Sequence, residues 1–276
     1  MRRDRIADHI HVFVSDSYLQ VTSTVVATQD GAVVIDAMPF LAEARQIAEF
    51  VRSEHGTTVR YVAYTHHHAD HVYGACVFED AQVIAQDQCR RILAKGGQAA
   101  LSVAKAETPA LAEVTLRLPN MTVQGSMQLQ LGDEVLRFDV LPGHTVDGMS
   151  VLAESEGALV AGDAMMPVPY FARGGDRHQL AASLKKVEAQ EPDFVVQGHG
   201  SVMLRGEVEE TIVAHLEYLR TIEERVGELV ASGAPPSSVR DIDIESCGLS
   251  RIPLDGMVSR LHLDNLVSLY REMSGL

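Results

Sequence analysis

Short apolar runs bounded by turn residues fill the first two thirds of the chain, and longer runs with helical spacing fill the last third. Residues 12–14 and 21–27 read as strands. Gln29-Asp30-Gly31 is a turn, and Ala32-Val33-Val34-Ile35 is a short buried strand that ends at Asp36. Pro39 opens a helix in which Leu41, Ala44, Ile47, Ala48 and Val51 keep helical spacing, and Gly56 stands where a C-cap belongs. Residues 59–65 form the next strand and run straight into His66. The order strand, strand, helix, strand predicts a mixed α/β sheet rather than a bundle.

Residues 82–85 continue the strand pattern, and 86–112 are helical in propensity with Gly96-Gly97 as a break. Strands are predicted over 116–118, 128–131 and 134–141, with Gly132-Asp133 as the turn between the last two. Residues 150–153 and 158–161 flank Glu154-Ser155-Glu156-Gly157, a second hairpin signal. Asp176 is placed to cap a helix with the stripe Leu180, Leu184 and Val187. A strand over 194–196 ends at Gly198-His199-Gly200, after which 208–230 and 257–273 are amphipathic helices joined across Pro235-Pro236. No repeat and no low-complexity linker interrupts the chain. The expectation is one domain over 1–276, with a core over 1–205 and C-terminal helices over 206–276 packed on it.

Composition narrows the classes of function. The 276 residues carry 23 Lys+Arg against 38 Asp+Glu, a formal charge of −15. That balance argues against nucleic acid as a partner, because phosphate neutralisation needs clustered cations. No apolar run approaches the ~20 residues of a membrane span, and the basic start Met1-Arg2-Arg3-Asp4-Arg5 is not followed by the apolar stretch of a secretory signal. Cys76, Cys89 and Cys247 are odd in number and widely spaced, which fits a reducing, cytoplasmic setting rather than a disulfide framework.

The run Thr65-His66-His67-His68-Ala69-Asp70-His71 changes the picture. On an extended strand end His66 and His68 point the same way and His67 the other, because side chains alternate. Four N/O donors within six residues at the end of a buried strand suit Zn²⁺ and neighbouring transition metals. The same grammar recurs: an apolar strand, a glycine, then His144, Asp163 or His199. Sheet proteins place functional side chains at one end of the strands, on loops held by a rigid scaffold.

The His-x-His-x-Asp-His run over 66–71, followed in order by Gly143-His144, Gly162-Asp163 and Gly198-His199-Gly200, resembles the metallo-β-lactamase-fold hydrolase superfamily. The likeness spans residues 10–200, and Val33-Val34-Ile35-Asp36 fits the apolar strand ending in Asp that this superfamily carries. It implies an α/β fold of the αββα kind, a four-layer sandwich of two mixed β-sheets flanked by helices, with a dinuclear site at one edge. It implies that His66, His68 and His144 hold a first metal, that Asp70, His71 and His199 hold a second, and that Asp163 bridges them. Asp70 also stands to orient a metal-bound hydroxide. Asp36 and His67 fall beside the ligands rather than among them. An Asp at position 163 resembles the glyoxalase II and lactonase branches more than the β-lactamases proper.

The activity so implied is that of a zinc hydrolase, with iron or manganese as alternative metals. Two ions sharing a hydroxide would cleave a small-molecule carboxylic ester, lactone or thioester. Three other readings stay open: a cyclic amide or β-lactam as substrate, a mononuclear iron dioxygenase acting on a persulfide, and a metal-binding protein without catalysis. The loop 165–171, apolar and stiffened by Pro167 and Pro169, follows Asp163 and fits the lining of an apolar substrate pocket, with Tyr170 as a polar handle and candidate proton donor. Arg173 and Arg177 stand near enough in sequence to meet an anionic group. Residues 86–112 fall where relatives carry a lid. The C-terminal helices fit packing on the sandwich and packing on a second subunit equally.

Overall fold

The computed structural model describes residues 1–275. Seven strands form the first sheet in chain order: β1 (Arg2–Arg5), β2 (Ile10–Val14), β3 (Thr22–Thr28), β4 (Gly31–Ile35), β5 (Val59–Ala63), β6 (Gln82–Gln86) and β7 (Met121–Val123). The first four are antiparallel to their neighbours, and β4 to β7 are parallel. The second sheet contains β8 (Ser126–Leu131), β9 (Glu134–Val140), β10 (Met149–Ala153), β11 (Ala158–Gly162), β12 (Phe194–Gln197) and β13 (Val202–Leu204), again in chain order. Its β11–β12 pair is parallel and the rest are antiparallel.

Alternation along the strands builds three apolar layers. In β4, Val33 and Ile35 face inward to meet Phe138, Met149, Val151 and Val160 of the second sheet. Val34 faces outward against the helix α1 (Leu41–His55), where Ala44, Ile47 and Val51 are fully buried. On the other outer face Leu159, Ala161 and Val195 pack under α5 (Arg177–Glu188), α6 (Arg205–Ala231) and α7 (Val258–Ser274). The result is two sheets face to face with helices outside both. As the hydrophobic pattern predicted, Asp176 caps α5, its carboxylate accepting from the amides of His178 and Gln179 at 2.8 Å. The helical stretch after β6 is α3 (Asp87–Ile92), one π turn at Leu93–Gly97 and α4 (Gln98–Glu107), so the glycine pair does mark a break.

The expected strand over 116–118 is absent. Arg117 is drawn out of any ladder: its guanidinium donates to the carbonyls of Phe78 and Ala81, and its own carbonyl accepts from the Tyr64 hydroxyl. The strand forms later, as β7, after Pro119. The charged strand β1 carries no apolar signal and exists through pairing with β2, while β13, apolar but only three residues long, is too short for a period to show and is defined by pairing with β12.

The sheets are knitted at one edge. The Met149 amide donates to the Thr65 carbonyl at 2.8 Å, and the Thr22 amide and hydroxyl bind the carbonyls of Gly198 and Gln197. Every sequence-predicted donor lies at this edge. Among the described residues no helix is long and apolar enough to cross a membrane.

Candidate metal centre

Four strand ends supply the site. β5 ends at Ala63, and the chain delivers His66 and His68 before turning into α2 (Ala69–Val72), which carries Asp70 and His71. β9 leads to His144, β11 to Asp163 and β12 to His199. His66, His68, His144 and Asp163 each present one donor atom within 4.8 Å of the others, and Asp70, His71 and His199 form a second such group.

Asp163 faces both groups. Its Oδ2 lies 3.3 Å from His144 Nε2 and 3.8 Å from His66 Nε2, while its Oδ1 lies 3.3 Å from His71 Nε2 and 3.6 Å from His199 Nε2. Asp70 Oδ2 is 3.4 Å from His199 Nε2 and 3.7 Å from His71 Nε2. Gly198 makes room for this carboxylate: a Cβ there would lie 1.8 Å from Asp163 Oδ1. Gly162 sits at φ +52°, a left-handed conformation that favours glycine, with its missing Cβ against Thr65.

The far side of each imidazole is tied down, which aims the near side at the centre. His71 Nδ1 donates to Asp36 Oδ2 at 2.8 Å, His144 Nδ1 to the Tyr170 carbonyl at 2.8 Å and His199 Nδ1 to the Leu19 carbonyl at 2.9 Å. The Thr65 hydroxyl donates to Asp36 Oδ2, leaving a lone pair for His66 Nδ1 at 3.1 Å. His68 alone turns its Nδ1 inward, 3.1 Å from His144 Nε2. Such outer hydrogen bonds fix the tautomer and orientation of a ligand imidazole. The inward atoms His66 Nε2, His71 Nε2 and Asp163 Oδ1 are buried and have no hydrogen-bond partner. Buried donors and acceptors rarely stay unpaired, and cations held by the two donor groups would satisfy all three. The donor set therefore fits divalent metal ions.

Electrostatics divides the two groups. Burial, together with the neighbouring imidazoles, pushes His66 well below its ordinary pKa, His68 down to about 3, and His144 down as well. In the second group burial also opposes charge, but Asp163, Asp36 and Asp70 outweigh it at His71, which is held well above its ordinary value, and Asp163 and Asp70 outweigh it at His199, which is raised to about 10. Asp70 and Asp163 are lowered in turn, against burial, by those same imidazoles, Asp70 to about 2.

His67 points away from both groups, its Nδ1 donating to the fully buried Asp147 at 2.8 Å. Tyr170 is buried, and its hydroxyl is 3.5 Å from Asp264 Oδ2 on α7. Both side chains line a cavity of about 660 Å³ over the centre. The 165–171 loop serves two purposes: Met166 and Tyr170 face the cavity, while Met165, Val168 and Phe171 pack in the core under α7. Ile92, Leu93, Gly96 and Gly97 form the opposite wall. Four contributors carry no local signal in the sequence: the Leu19 carbonyl, Asp147, and the α7 residues Arg260 and Leu261.

The loop bearing Leu19 is braced from below. Ser15 Oγ donates to the buried Glu43 carboxylate of α1 at 2.9–3.0 Å and accepts from the amides of Ser17 and Tyr18 at 3.0 Å. Leu19 and Gln20 are held at φ +44° and +52°, conformations that persist only when surroundings enforce them.

Together these features define a class: a sandwich of two mixed sheets with a histidine- and aspartate-lined metal centre at one edge. Residues 17–199 match the family model of the metallo-beta-lactamase superfamily, and the chain belongs to that superfamily. A hydroxyacylglutathione hydrolase of Anaeromyxobacter dehalogenans (strain 2CP-C) is 31% identical over 131 residues, 47% of this chain and 42% of that protein, so the match spans under half of that relative's length. Among solved structures, a double mutant of the sec-alkyl sulfatase PisA1 matches 99% of this chain and 50% of its own, at a TM-score of 0.75 and 17% identity. A metallo-beta-lactamase from Pontibacter korlensis matches 77% of this chain and 97% of its own, at a TM-score of 0.60 and 16% identity. At these identities the structural likenesses speak for the fold.

Proposed function

We propose that the protein is a dinuclear metal hydrolase, with zinc as the first candidate metal, that cleaves a carboxylic ester, lactone or thioester of a small molecule. The observation that carries this reading is Asp163, whose two oxygens face different groups of imidazoles. In this reading His66, His68 and His144 hold one ion, Asp70, His71 and His199 the other, and Asp163 both. Two bound divalent ions supply a hydroxide near neutral pH and polarise the scissile carbonyl. The chain's own residues do the rest. Asp70 accepts a hydrogen bond from the attacking water and orients it, while the outer anchors keep the imidazoles from turning. The apolar cavity walls exclude bulk water and hold the substrate's apolar part. Tyr170 is assigned a positioning role at the cavity wall, its hydroxyl directed to Asp264. The partial likeness to a hydroxyacylglutathione hydrolase supports the ester and thioester side of this reading.

We further propose that residues 1–276 act as one unit, since α7 of the C-terminal part walls the same cavity as the strand ends. Three free cysteines fit a cytoplasmic setting. The test is elemental analysis of protein purified without added metal, with a panel of ester, lactone, thioester and lactam substrates. About two zinc ions per chain and turnover of an ester-type bond are expected. Asp163→Asn should lower metal content and turnover together, and unchanged turnover would remove the bridging role. Turnover of the lactam alone would move the bond to a cyclic amide. One iron per chain with oxygen-dependent turnover would replace the reading with a dioxygenase.

A further inference from the structure

Two arginines near the centre differ in their surroundings. Arg177 is spoken for: it binds Glu223 at 2.8 Å and Glu272 at 2.8 and 3.0 Å. Arg173 is exposed, lines the metal cavity, and has no carboxylate within ion-pair distance among the described residues. Arg260, brought in by α7, is its counterpart: exposed, on the cavity wall and likewise without an ion pair. We propose that Arg173 and Arg260 form a distal anion subsite, so that the substrate is an amphiphilic acid whose anionic end lies away from the bond that breaks.

Charge, lining and position support this together. The chain carries −15 overall, yet away from the metal donors the cavity wall reverses the sign. Setting aside Asp70 and Asp163, which belong to the proposed metal centre, the cavity wall bears two guanidinium groups and one carboxylate, Asp264. The Tyr170 hydroxyl already faces that carboxylate. A cleft of locally opposite sign concentrates ligands of the matching charge against the field of the whole molecule. Arg173 reaches the mouth from one side: its charge acts on the hydroxyls of both Tyr170 and Tyr18, opposing the upward push of burial on each. Much of the remaining lining is apolar, with Leu93, Met166 and Leu261 as examples. A ligand matching this profile has a scissile carbonyl at one end, a short apolar stretch, and an anion at the other. Guanidinium forks suit carboxylate, sulfonate and phosphate alike.

The inference rests on the hydrolase reading for its substrate, but its test separates the two. The probes are 4-nitrophenyl valerate and 4-nitrophenyl hydrogen glutarate, equal in acyl length and differing in a terminal methyl or carboxylate. The ratio of kcat/KM for the acid over the neutral ester should fall about tenfold in Arg173→Gln and in Arg260→Gln, and further in the double variant. Raising ionic strength should lower the same ratio in the parent protein. Binding of glutarate to the metal-loaded protein, followed by calorimetry, should weaken in the double variant by a similar factor. Hydrolysis with an unchanged ratio overturns the subsite and leaves the hydrolase standing. Arginine-dependent glutarate binding without hydrolysis of any ester overturns the hydrolase and leaves the subsite. Glutarate binding that ignores both substitutions overturns the subsite whatever the activity. Both side chains are exposed, so matching thermal midpoints will show that the variants fold.

Discussion

The two donor groups on either side of Asp163 share a carboxylate and an edge of the sandwich, yet they are electrostatic opposites. His66, His68 and His144 crowd one another with one acid among them, and all three are pushed toward the neutral form. His71 and His199 both face Asp70 and Asp163, with Asp36 added at His71, and both are pushed toward the charged form. A neutral imidazole is ready to coordinate, whereas a charged one must first lose its proton. The first group is therefore preset for a cation, and the second stores protons where a cation would belong. The same residue type acquires opposite habits from the number of acids within reach.

The widest separation between the groups should come from pH. Zinc titrations of metal-free protein between pH 7 and 9 should show one affinity almost flat and the other rising by at least about tenfold per pH unit, as His199 gives up its proton, and more steeply wherever His71 gives up its own. Two parallel slopes would erase the contrast. A smaller effect is expected from Asp36→Asn, which tolerates the left-handed backbone at φ +59° but withdraws the acceptor from His71 Nδ1. The second ion should bind about 10–100-fold more weakly, with the first changed less, as read by metal competition. Smaller again is Ser15→Ala. Loss of the Glu43 brace should cost the second ion several-fold in affinity through the Leu19 carbonyl, and an equal loss at both ions would show that the brace is merely structural.

The least effect falls on stability without metal. The raised His199 stabilises the fold fully below pH 6.5, and that contribution is lost as pH climbs through about 10. The lowered His68 works in the other direction, costing stability as pH drops from 6.5 toward about 3. Chelated protein should accordingly show a thermal midpoint that falls on both sides of neutrality, by a few degrees. A midpoint flat from pH 7 to 10 would argue that His199 is not charged in the metal-free fold.

Much of the fold was legible because strands here are short, apolar and bounded by glycine or aspartate, as β4 and β11 show. The donors were legible because the 66–71 run is so dense and because the same grammar, an apolar strand, a glycine, then His144, Asp163 or His199, recurs after it. Leu116 and Leu118 misled because their alternation mimics a strand, while the capture of Arg117 by two distant carbonyls is a tertiary event. β1 is all charge, and only its partner makes it a strand. The Leu19 carbonyl was invisible for a plainer reason: every residue has one, and only the fold says which reaches His199. Arg260 lies on an amphipathic helix whose pattern marks the core face but not the neighbour of the opposite face. Arg173 and Arg177 looked alike in sequence, and two glutamates on α6 and α7 tell them apart.

Under the proposed two-ion reading, the division of donors between the sheets would also set a schedule for metal loading. His66, His68, Asp70 and His71 hang from the first sheet, whereas His144, Asp163 and His199 hang from the second. During translation the first group stays incomplete until residue 163 has left the ribosome, and the second until residue 199 has. An ion loaded during synthesis would enter the three-histidine group first. It would then clasp the two sheets before the last donor exists, so a nascent chain arrested between these points would be a one-metal protein.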